Sequence, residues 1–262
     1  MSARAIAIFR AAHFLPSLTV TALTFALAWR TSDLTNALVI ALTFFTGQLI
    51  IGWSNDLLDY SDDLAHDRQR KPLVAGLISP RALQIAIACD ALALTFLTLF
   101  GALSGRFGLL HLLAVFSALA YNVKLKSTIF SFLPYLLSFG LLPIIVLGAT
   151  KYPIAPWMPA IGALFGVGAH FANVFKDLEQ DRASGIAGLP QVLGAKYSRI
   201  GCSLSFGSGA LILFAITSRG EALAIVIAST IFLFPIPRKL TFPFAMLLGI
   251  AVMASFISAI PN

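Results

Sequence analysis

Two short segments of this chain concentrate acidic side chains that could bind a metal ion. They hold eight of the eleven carboxylates in the sequence, in a chain that is otherwise strongly apolar. The eight are Asp56, Asp59, Asp62, Asp63 and Asp67 in the first segment, and Asp177, Glu179 and Asp181 in the second. Carboxylates placed beside lipid are costly unless something positive compensates them. The two segments therefore indicate a bound cation, or a polyanion held through cations.

The spacing of these acids predicts two rows of carboxylates on helix faces. Asp56, Asp59 and Asp63 follow one another at intervals of three and four residues. Asp177 and Asp181 are four residues apart. Residues at these spacings share one face of a helix, where like charges repel. Mg²⁺ would offset the repulsion, because it takes one or two carboxylates and completes its shell with water and phosphate oxygens. We expect two facing rows to hold two or three ions that clamp a diphosphate.

Basic residues near both rows favour the same chemistry, since arginine and lysine are common phosphate partners. They are Arg68, Arg70 and Lys71 after the first row, Lys176 and Arg182 beside the second, and Lys124 and Lys126 on a loop between. A diphosphate held in this way is a good leaving group, and an allylic isoprenoid attached to it would ionise to a carbocation. Such a cation needs a dry, aromatic chamber, which a helical bundle with 22 Phe residues could supply.

Membrane-spanning helices are the elements predicted to position these residues. Hydrophobic residues make up 58% of the 262, and charged residues make up 11%, against about 25% in soluble domains. Because backbone in a bilayer must satisfy its own hydrogen bonds, we expect an all-α integral membrane protein. It would form a bundle of about nine transmembrane helices in a single domain over residues 1–262. The apolar windows are 11–29, 34–54, 81–103, 107–123, 128–149, 156–175, 198–217, 221–236 and 241–260.

The distribution of basic residues predicts the orientation of these spans. With a cytoplasmic N-terminus, fourteen of the eighteen Lys and Arg residues fall in inner segments and four in outer ones. This bias is typical of cytoplasmic loops. It places both acidic segments, and hence the active site, on the cytoplasmic side (of the plasma membrane, in a prokaryote). The net charge of +7 forms no basic stripe on a polar domain, so nucleic acid is not an expected partner.

The motifs resemble those of the UbiA superfamily of intramembrane prenyltransferases. Residues 55–63, Asn-Asp-x-x-Asp-x-x-x-Asp, with Arg-Lys-Pro-Leu at 70–73, resemble the first family signature. Residues 173–182, Asn-x-x-Lys-Asp-x-x-x-Asp-Arg, resemble the second. Residues 121–126 resemble a Tyr-to-Lys loop motif, and Arg10 is similar to a family arginine that meets the diphosphate. The chain departs from the family at Leu64, where the family commonly has arginine directly after the last aspartate of the first motif.

The resemblance implies Mg²⁺-dependent transfer of an isoprenyl group from a prenyl diphosphate to a small-molecule or lipid acceptor, often aromatic, as in quinone or related lipid biosynthesis. It implies metal binding by Asp56, Asp59, Asp63, Asp177 and Asp181, with Tyr121 orienting the diphosphate or stabilising the cation. The residues assigned to substrate binding are Arg10, Asn55, Arg70, Lys124, Lys126, Asn173, Lys176 and Arg182. The choice between Lys124 and Lys126, the roles of Asp67 and Asp90, the acceptor, the chain length and the oligomeric state stay open.

Two other classes of membrane protein use acidic rows. A cation transporter would use them as its ion path, but transporter acids usually lie near the midplane on broken helices. A CDP-alcohol phosphotransferase also uses spaced aspartates and Mg²⁺, but its signature places Asp-Gly and Ala-Arg between the acids. The acids here cluster at the predicted cytoplasmic ends of spans, beside lysines and arginines that would repel a cation. Neither Asp-Gly nor Ala-Arg follows Asp56 or Asp59. The sequence therefore favours the prenyltransferase.

Overall fold

The computed structural model describes residues 3–175, 177–234 and 236–260, with the backbone alone at 3, 4, 238 and 239. Within these ranges the chain forms twelve α-helices and no β-strand, with 3₁₀ turns at Leu125–Ser127 and Thr230–Leu233. The helices are α1 (Ala3–Ala11), α2 (Phe14–Thr31), α3 (Leu34–Leu58), α4 (Tyr60–Ala65), α5 (Pro80–Phe100), α6 (Gly105–Val123), α7 (Leu133–Ala149), α8 (Trp157–Phe175), α9 (Leu178–Ala183), α10 (Leu189–Thr217), α11 (Gly220–Ser229) and α12 (Arg238–Ala259).

Many of these helices are long and apolar enough to cross a membrane. Among the described residues six pass on length and composition, namely α3, α5, α6, α8, α10 and α12. The pair α1 and α2, bent by 75° at the break between them, makes a seventh if counted as one span. Shorter apolar helices occupy Leu133–Ala149 and Gly220–Leu233, where the sequence predicted the fifth and eighth spans. The all-α membrane fold is therefore confirmed, and the count of nine stays a prediction.

Local sequence explains where two of these helices begin. The Asp33 carboxylate accepts a hydrogen bond of 3.0 Å from the Asn36 backbone N–H and so caps α3. This hydrogen bond is the main reason that the pKa of Asp33 lies below its usual value. Ser79 caps α5 in the same way, and Pro80 follows at the first helical position, where its missing N–H costs nothing.

The chain divides into two compact units, residues 1–123 and 124–262. In the first unit, α3 packs against α2, α5 and α6. A close approach at Gly52 fixes the α1–α2 break on α3, because a Cβ there would lie 2.5 Å from the Ala12 carbonyl oxygen. The Trp53 indole donates a hydrogen bond of 2.9 Å to the Ile8 carbonyl beside it. Each unit contains one of the two acidic segments.

The second unit is built on α8, which packs against α7 and α10. Gly162 and Gly166 let α7 approach closely, since a Cβ at either position would lie 2.3 Å from an α7 carbonyl oxygen. α8 ends at Phe175, immediately before the second acidic segment. α10 then begins at Leu189 and kinks at Gly194, whose φ of 82° suits glycine.

Candidate active site

Asp56 and Asp63 are almost fully buried, at 3% and 1% exposure, and converge on one cation. The Lys71 ammonium lies 3.0 Å from Asp56 Oδ1 and 2.7 Å from Asp63 Oδ2. The prediction of one continuous helix face is wrong in detail, because α3 ends at Leu58 and a new helix begins at Tyr60. The two carboxylates nevertheless meet across this break, which lies at Asp59.

Lys71 belongs to the site. From the sequence it was one of the basic residues near the first row, with no place among the predicted substrate-binding residues. Burial acts to lower the pKa of its ammonium, but Asp56 and Asp63 outweigh that effect and raise the pKa above its usual value. Arg68 adds a second cation, with its guanidinium 2.8 Å from Asp63 Oδ1. Two carboxylates of the first acidic segment, Asp56 and Asp63, therefore form a charge-compensated cluster with Lys71 and Arg68.

His13 was missed from the sequence and lies in the same cluster. Its Nε2 atom is 3.3 Å from Asp56 Oδ1, and its side chain is 45% exposed. His13 occupies the α1–α2 break with φ 51° and ψ 55°, a left-handed conformation that costs a non-glycine residue about 1–2 kcal/mol. The close approach of Gly52 to Ala12 and the hydrogen bond from Trp53 to Ile8 hold this break in place. The only sequence signal was a polar residue three positions after Arg10.

We expect Gly52→Ala to disturb the site through this break. The added methyl would meet the Ala12 backbone, which should lower the free energy of unfolding by about 1–3 kcal/mol and move His13 away from Asp56. Thermal unfolding in detergent and the rate of diphosphate release from a prenyl diphosphate would measure both effects. Gly220→Ala is the matched control, since a Cβ there meets nothing within 4 Å. Equal stability and rate in the two variants would contradict the prediction.

Arg10 and Arg70 are brought together in the first unit. The Arg10 guanidinium donates a hydrogen bond of 3.2 Å to the Arg70 carbonyl, and both side chains are exposed. This contact connects the end of α1 with the loop after α4. Two arginines predicted to contact the diphosphate thus lie on neighbouring backbone, with Lys71 next in the chain.

Asn122 orients the end of α3. Its buried amide donates to the Ile51 carbonyl at 2.8 Å and to Ser54 Oγ at 3.0 Å. Asn55 in turn donates to Asp59 Oδ2 at 3.1 Å, which supports its predicted place beside the acids. Asn122 lies within the loop motif of residues 121–126, but the motif predicted no function for it. Tyr121, the residue before it, is half-buried.

The second acidic segment forms one helical turn. The Asp181 backbone N–H donates to the Asp177 carbonyl at 2.9 Å, so the two aspartates are one turn apart, as predicted. Asp177 is exposed, while Asp181 is half-buried and accepts a hydrogen bond of 2.9 Å from the Gln191 amide. Lys176, predicted to contact the diphosphate, lies outside the described residues. Gln191 was not identified from the sequence.

Arg182 has a structural contact in addition to its predicted role. Its Nε donates to the Gln191 backbone carbonyl at 2.6 Å, and its terminal nitrogen contacts the same oxygen. This contact ties the turn after Asp181 to the first turn of α10. The residue is otherwise exposed at the surface.

Asn173 belongs to a polar column inside the second unit. Its amide donates to the Tyr135 hydroxyl at 3.3 Å, and the Tyr135 ring centroid lies 4.9 Å from that of His170. His170 is fully buried, with Nε2 3.1 Å from Ser131 Oγ, as expected of a histidine within the bundle. Ser131 Oγ also accepts from the Leu189 backbone N–H at 2.9 Å. The column supports Asn173 beside the second acidic segment.

The loop at the start of the second unit carries the two predicted lysines. Lys124 is exposed, and Lys126 is half-buried in the 3₁₀ turn Leu125–Ser127. A Cβ at Gly188 would lie 2.6 Å from the Lys126 carbonyl oxygen, so the loop packs directly on the residue before α10. The loop is thereby fixed relative to Asp181 through the start of α10.

The donor set suits Mg²⁺ shared with a substrate. In the part of the chain that the structure describes, no three His, Cys, Asp or Glu side chains converge to form a complete metal cage. Asp56 and Asp63 nevertheless already share one cation through buried carboxylate oxygens. Mg²⁺ is bound through one or two carboxylates, with water and substrate phosphates as the remaining ligands. The residues present therefore fit this ion.

This chain is similar to known proteins in both sequence and fold. A profile of the UbiA prenyltransferase family matches residues 17–259. A UbiA homologue from Archaeoglobus fulgidus bound to GPP and Mg²⁺ aligns with a TM-score of 0.72, covering 97% of this chain and 99% of that chain at 16% identity. An apo UbiA homologue from Aeropyrum pernix K1 aligns with a TM-score of 0.67, covering 92% and 97% at 19% identity.

A structure described as digeranylgeranylglyceryl phosphate synthase in membranes aligns with a TM-score of 0.69, covering 98% of each chain at 16% identity. At such identities these structures establish a shared fold. A search of curated protein sequences finds no match. Because the family profile covers nearly the whole chain, the protein belongs to the UbiA prenyltransferase family.

Proposed function

We propose that this protein is a Mg²⁺-dependent transferase that moves an isoprenyl group from its diphosphate to an acceptor. The observation that carries the proposal is the convergence of buried Asp56 and Asp63 on one cation position. Family membership supports the reaction class. The Archaeoglobus fulgidus homologue is described with GPP and Mg²⁺ and with DMAPP and Mg²⁺, which supports the same substrate class and metal here.

We assign metal binding to Asp56, Asp59 and Asp63 in the first segment and to Asp177 and Asp181 in the second. Bound Mg²⁺ would supply positive charge that stabilises the departing diphosphate. Asn55 restrains Asp59, and the His13 ring, Lys71 and Arg68 restrain the two buried carboxylates. The protein thus contributes a set of charges fixed before the substrate binds, which is the largest source of catalysis in many enzymes.

Diphosphate contacts would come from cations outside the buried cluster. Arg10 and Arg70 lie together on exposed backbone, and Lys124 and Lys126 lie on the loop that packs against Gly188. Guanidinium and ammonium groups neutralise phosphate oxygens as the bond to the isoprenyl carbon breaks. We assign Lys176 and Arg182 to the same role, with Asn173 supporting the second set of aspartates.

The isoprenyl group would lie among apolar side chains. The sequence supplies 22 Phe residues for the walls of such a chamber. Aromatic and aliphatic walls exclude water, which would otherwise quench an allylic cation. Tyr121 would orient the diphosphate or stabilise the cation. We propose an aromatic acceptor, as in quinone or related lipid biosynthesis, whose electron-rich carbon attacks the allylic carbon and then loses a proton.

Orientation follows the basic residues. We propose nine spans with a cytoplasmic N-terminus, because fourteen of eighteen Lys and Arg residues then face the cytoplasm. Cysteine labelling of single-cysteine variants at exposed loop positions in intact cells would test this topology. Labelling of residues beside Asp67 by an impermeant reagent from outside would contradict it.

A substrate panel tests the reaction itself. Purified protein in detergent would receive labelled geranyl, farnesyl, geranylgeranyl and longer diphosphates with aromatic and lipid acceptors. We expect prenylated product and released diphosphate with Mg²⁺, and neither with excess chelator. Product that forms equally without any divalent ion would refute the mechanism. Cation flux into sealed vesicles that contain the protein, without product formation, would instead favour a transporter.

A further inference from the structure

Gln191 is a buried amide that contacts an aspartate of the second acidic segment. It lies in the first turn of α10 and is only 4% exposed. Its Nε2 donates a hydrogen bond of 2.9 Å to Asp181 Oδ2. The contact spans ten residues of sequence and joins α9 to α10, so helical spacing alone could not predict it.

Packing stability does not explain an amide at this position. The Gln191 Oε1 atom is buried and makes no hydrogen bond to any residue within the described ranges. It lies against Gly188, where a Cβ would approach it to 2.6 Å. A buried carbonyl without a partner costs about 1–3 kcal/mol, and an apolar side chain of similar size would avoid that cost. The group of this amide that makes a contact is its Nε2 donor, which meets Asp181.

The backbone around Gln191 is held by independent contacts. Arg182 donates to the Gln191 carbonyl, and the Leu189 N–H donates to Ser131 Oγ. Gly188 packs on the Lys126 carbonyl oxygen. The first turn of α10 is thus anchored both to the Lys124–Lys126 loop and to the turn that follows Asp181. An amide on such a rigid element can fix the orientation of a neighbouring carboxylate.

We propose that Gln191 is a positioning residue that presents the Asp181 carboxylate to Mg²⁺ in a single orientation. This inference rests on the proposed function, because it assigns a supporting role to a residue beside one of the metal-binding aspartates. Hydrogen bonds to ligating carboxylates orient them, and loss of such a partner typically weakens metal binding or activity 10–100-fold. Gln191 would act through Asp181 and would not touch the substrate.

Two variants test the role. Gln191→Met removes the donor while keeping the volume, and Gln191→Asn withdraws the amide from Asp181. We expect each to raise the Mg²⁺ concentration for half-maximal diphosphate release about 10–100-fold and to weaken Mn²⁺ binding, measured by calorimetry without diphosphate, to a similar degree. At saturating Mg²⁺ the kcat should approach that of the wild type. Gln84→Met, on the exposed side of α5, is the matched control.

Thermal unfolding separates positioning from packing. Gln191→Met loses the hydrogen bond to Asp181 but also removes the buried Oε1 that lacks a partner, so its unfolding temperature should stay near that of the wild type while its metal affinity falls. A lower unfolding temperature with unchanged Mn²⁺ affinity in both variants would overturn the inference. Diphosphate release by the wild type without any divalent ion would overturn it together with the proposed function. If the wild type requires a divalent ion but both Gln191 variants keep its Mg²⁺ dependence and Mn²⁺ affinity, the inference alone would be overturned.

Discussion

Asp56→Asn is expected to lower kcat/KM for prenyl transfer by about 10³-fold, which is about 4 kcal/mol of transition-state stabilisation. The amide keeps the size of the carboxylate but removes the negative charge that would hold Mg²⁺. Lys71 pairs with both Asp56 and Asp63, so the substitution also leaves Asp63 as the one carboxylate of the two that can pair with it. The measurement is the steady-state rate of product formation across a range of Mg²⁺ concentrations.

Asp33→Asn is the matched control for this substitution. Asp33 is exposed and caps the start of α3, a position at which asparagine caps about as well as aspartate. Its activity should equal that of the wild type, and its unfolding temperature should fall only slightly, because asparagine keeps the cap but not the second hydrogen bond that Asp33 Oδ2 accepts from the Asn36 amide. If Asp56→Asn kept wild-type rates at every Mg²⁺ concentration, the assignment of the first acidic segment to the reaction would be wrong.

Lys71→Met is expected to produce the largest loss of stability. The ammonium lies between two buried carboxylates, and removing one partner of a buried ion cluster costs about 3–5 kcal/mol. Arg68 and His13 still face Asp63 and Asp56, so we expect a value near the lower limit. Unfolding in detergent would measure it, with Lys151→Met in the exposed α7–α8 loop as the control.

Two further measurements make this prediction specific. The Lys71 ammonium lies on the two carboxylates that we propose bind Mg²⁺, so its removal leaves them free for the ion. Because an ion bound only by the folded state stabilises that state, Mg²⁺ should stabilise Lys71→Met more than the wild type. The pKa of Lys71 is raised in the folded state, so its contribution is complete below the usual value of 10.5 and is lost only as the pH rises through the higher folded value. The difference between wild type and variant should therefore stay constant from about pH 7 to 9. A variant as stable as the wild type would contradict the role of Lys71.

Some site residues were predictable because their signals are local. The aspartates stand out against an apolar chain, and their spacing matches a helical turn. Asn55 and Asn173 were identifiable because each lies within one helical turn of an acid. These residues were recognised from composition and spacing, with the family resemblance supplying their roles.

Other site residues depend on contacts between distant segments. His13 meets Asp56 only because Gly52 and Trp53 hold the α1–α2 break against α3. Asn122 reaches Ile51 and Ser54 across 71 and 68 residues of chain. No periodicity within one helix contains such information. The continuous acidic row failed for a related reason, since α3 ends at Leu58 and a fixed helical period does not predict the break at Asp59.

Hydropathy and charge are properties of residues and their near neighbours in the chain. They are therefore enough to predict a helical membrane protein with two acidic segments suited to Mg²⁺ and a diphosphate. Which side chains contact each acidic segment became clear only from the folded chain. Lys71 became the shared partner of Asp56 and Asp63, and Gln191 became the partner of Asp181, through loop and helix packing. Ion pairs and hydrogen bonds act over a few ångströms. They therefore depend on which residues are close together in the folded structure and not on their separation along the sequence.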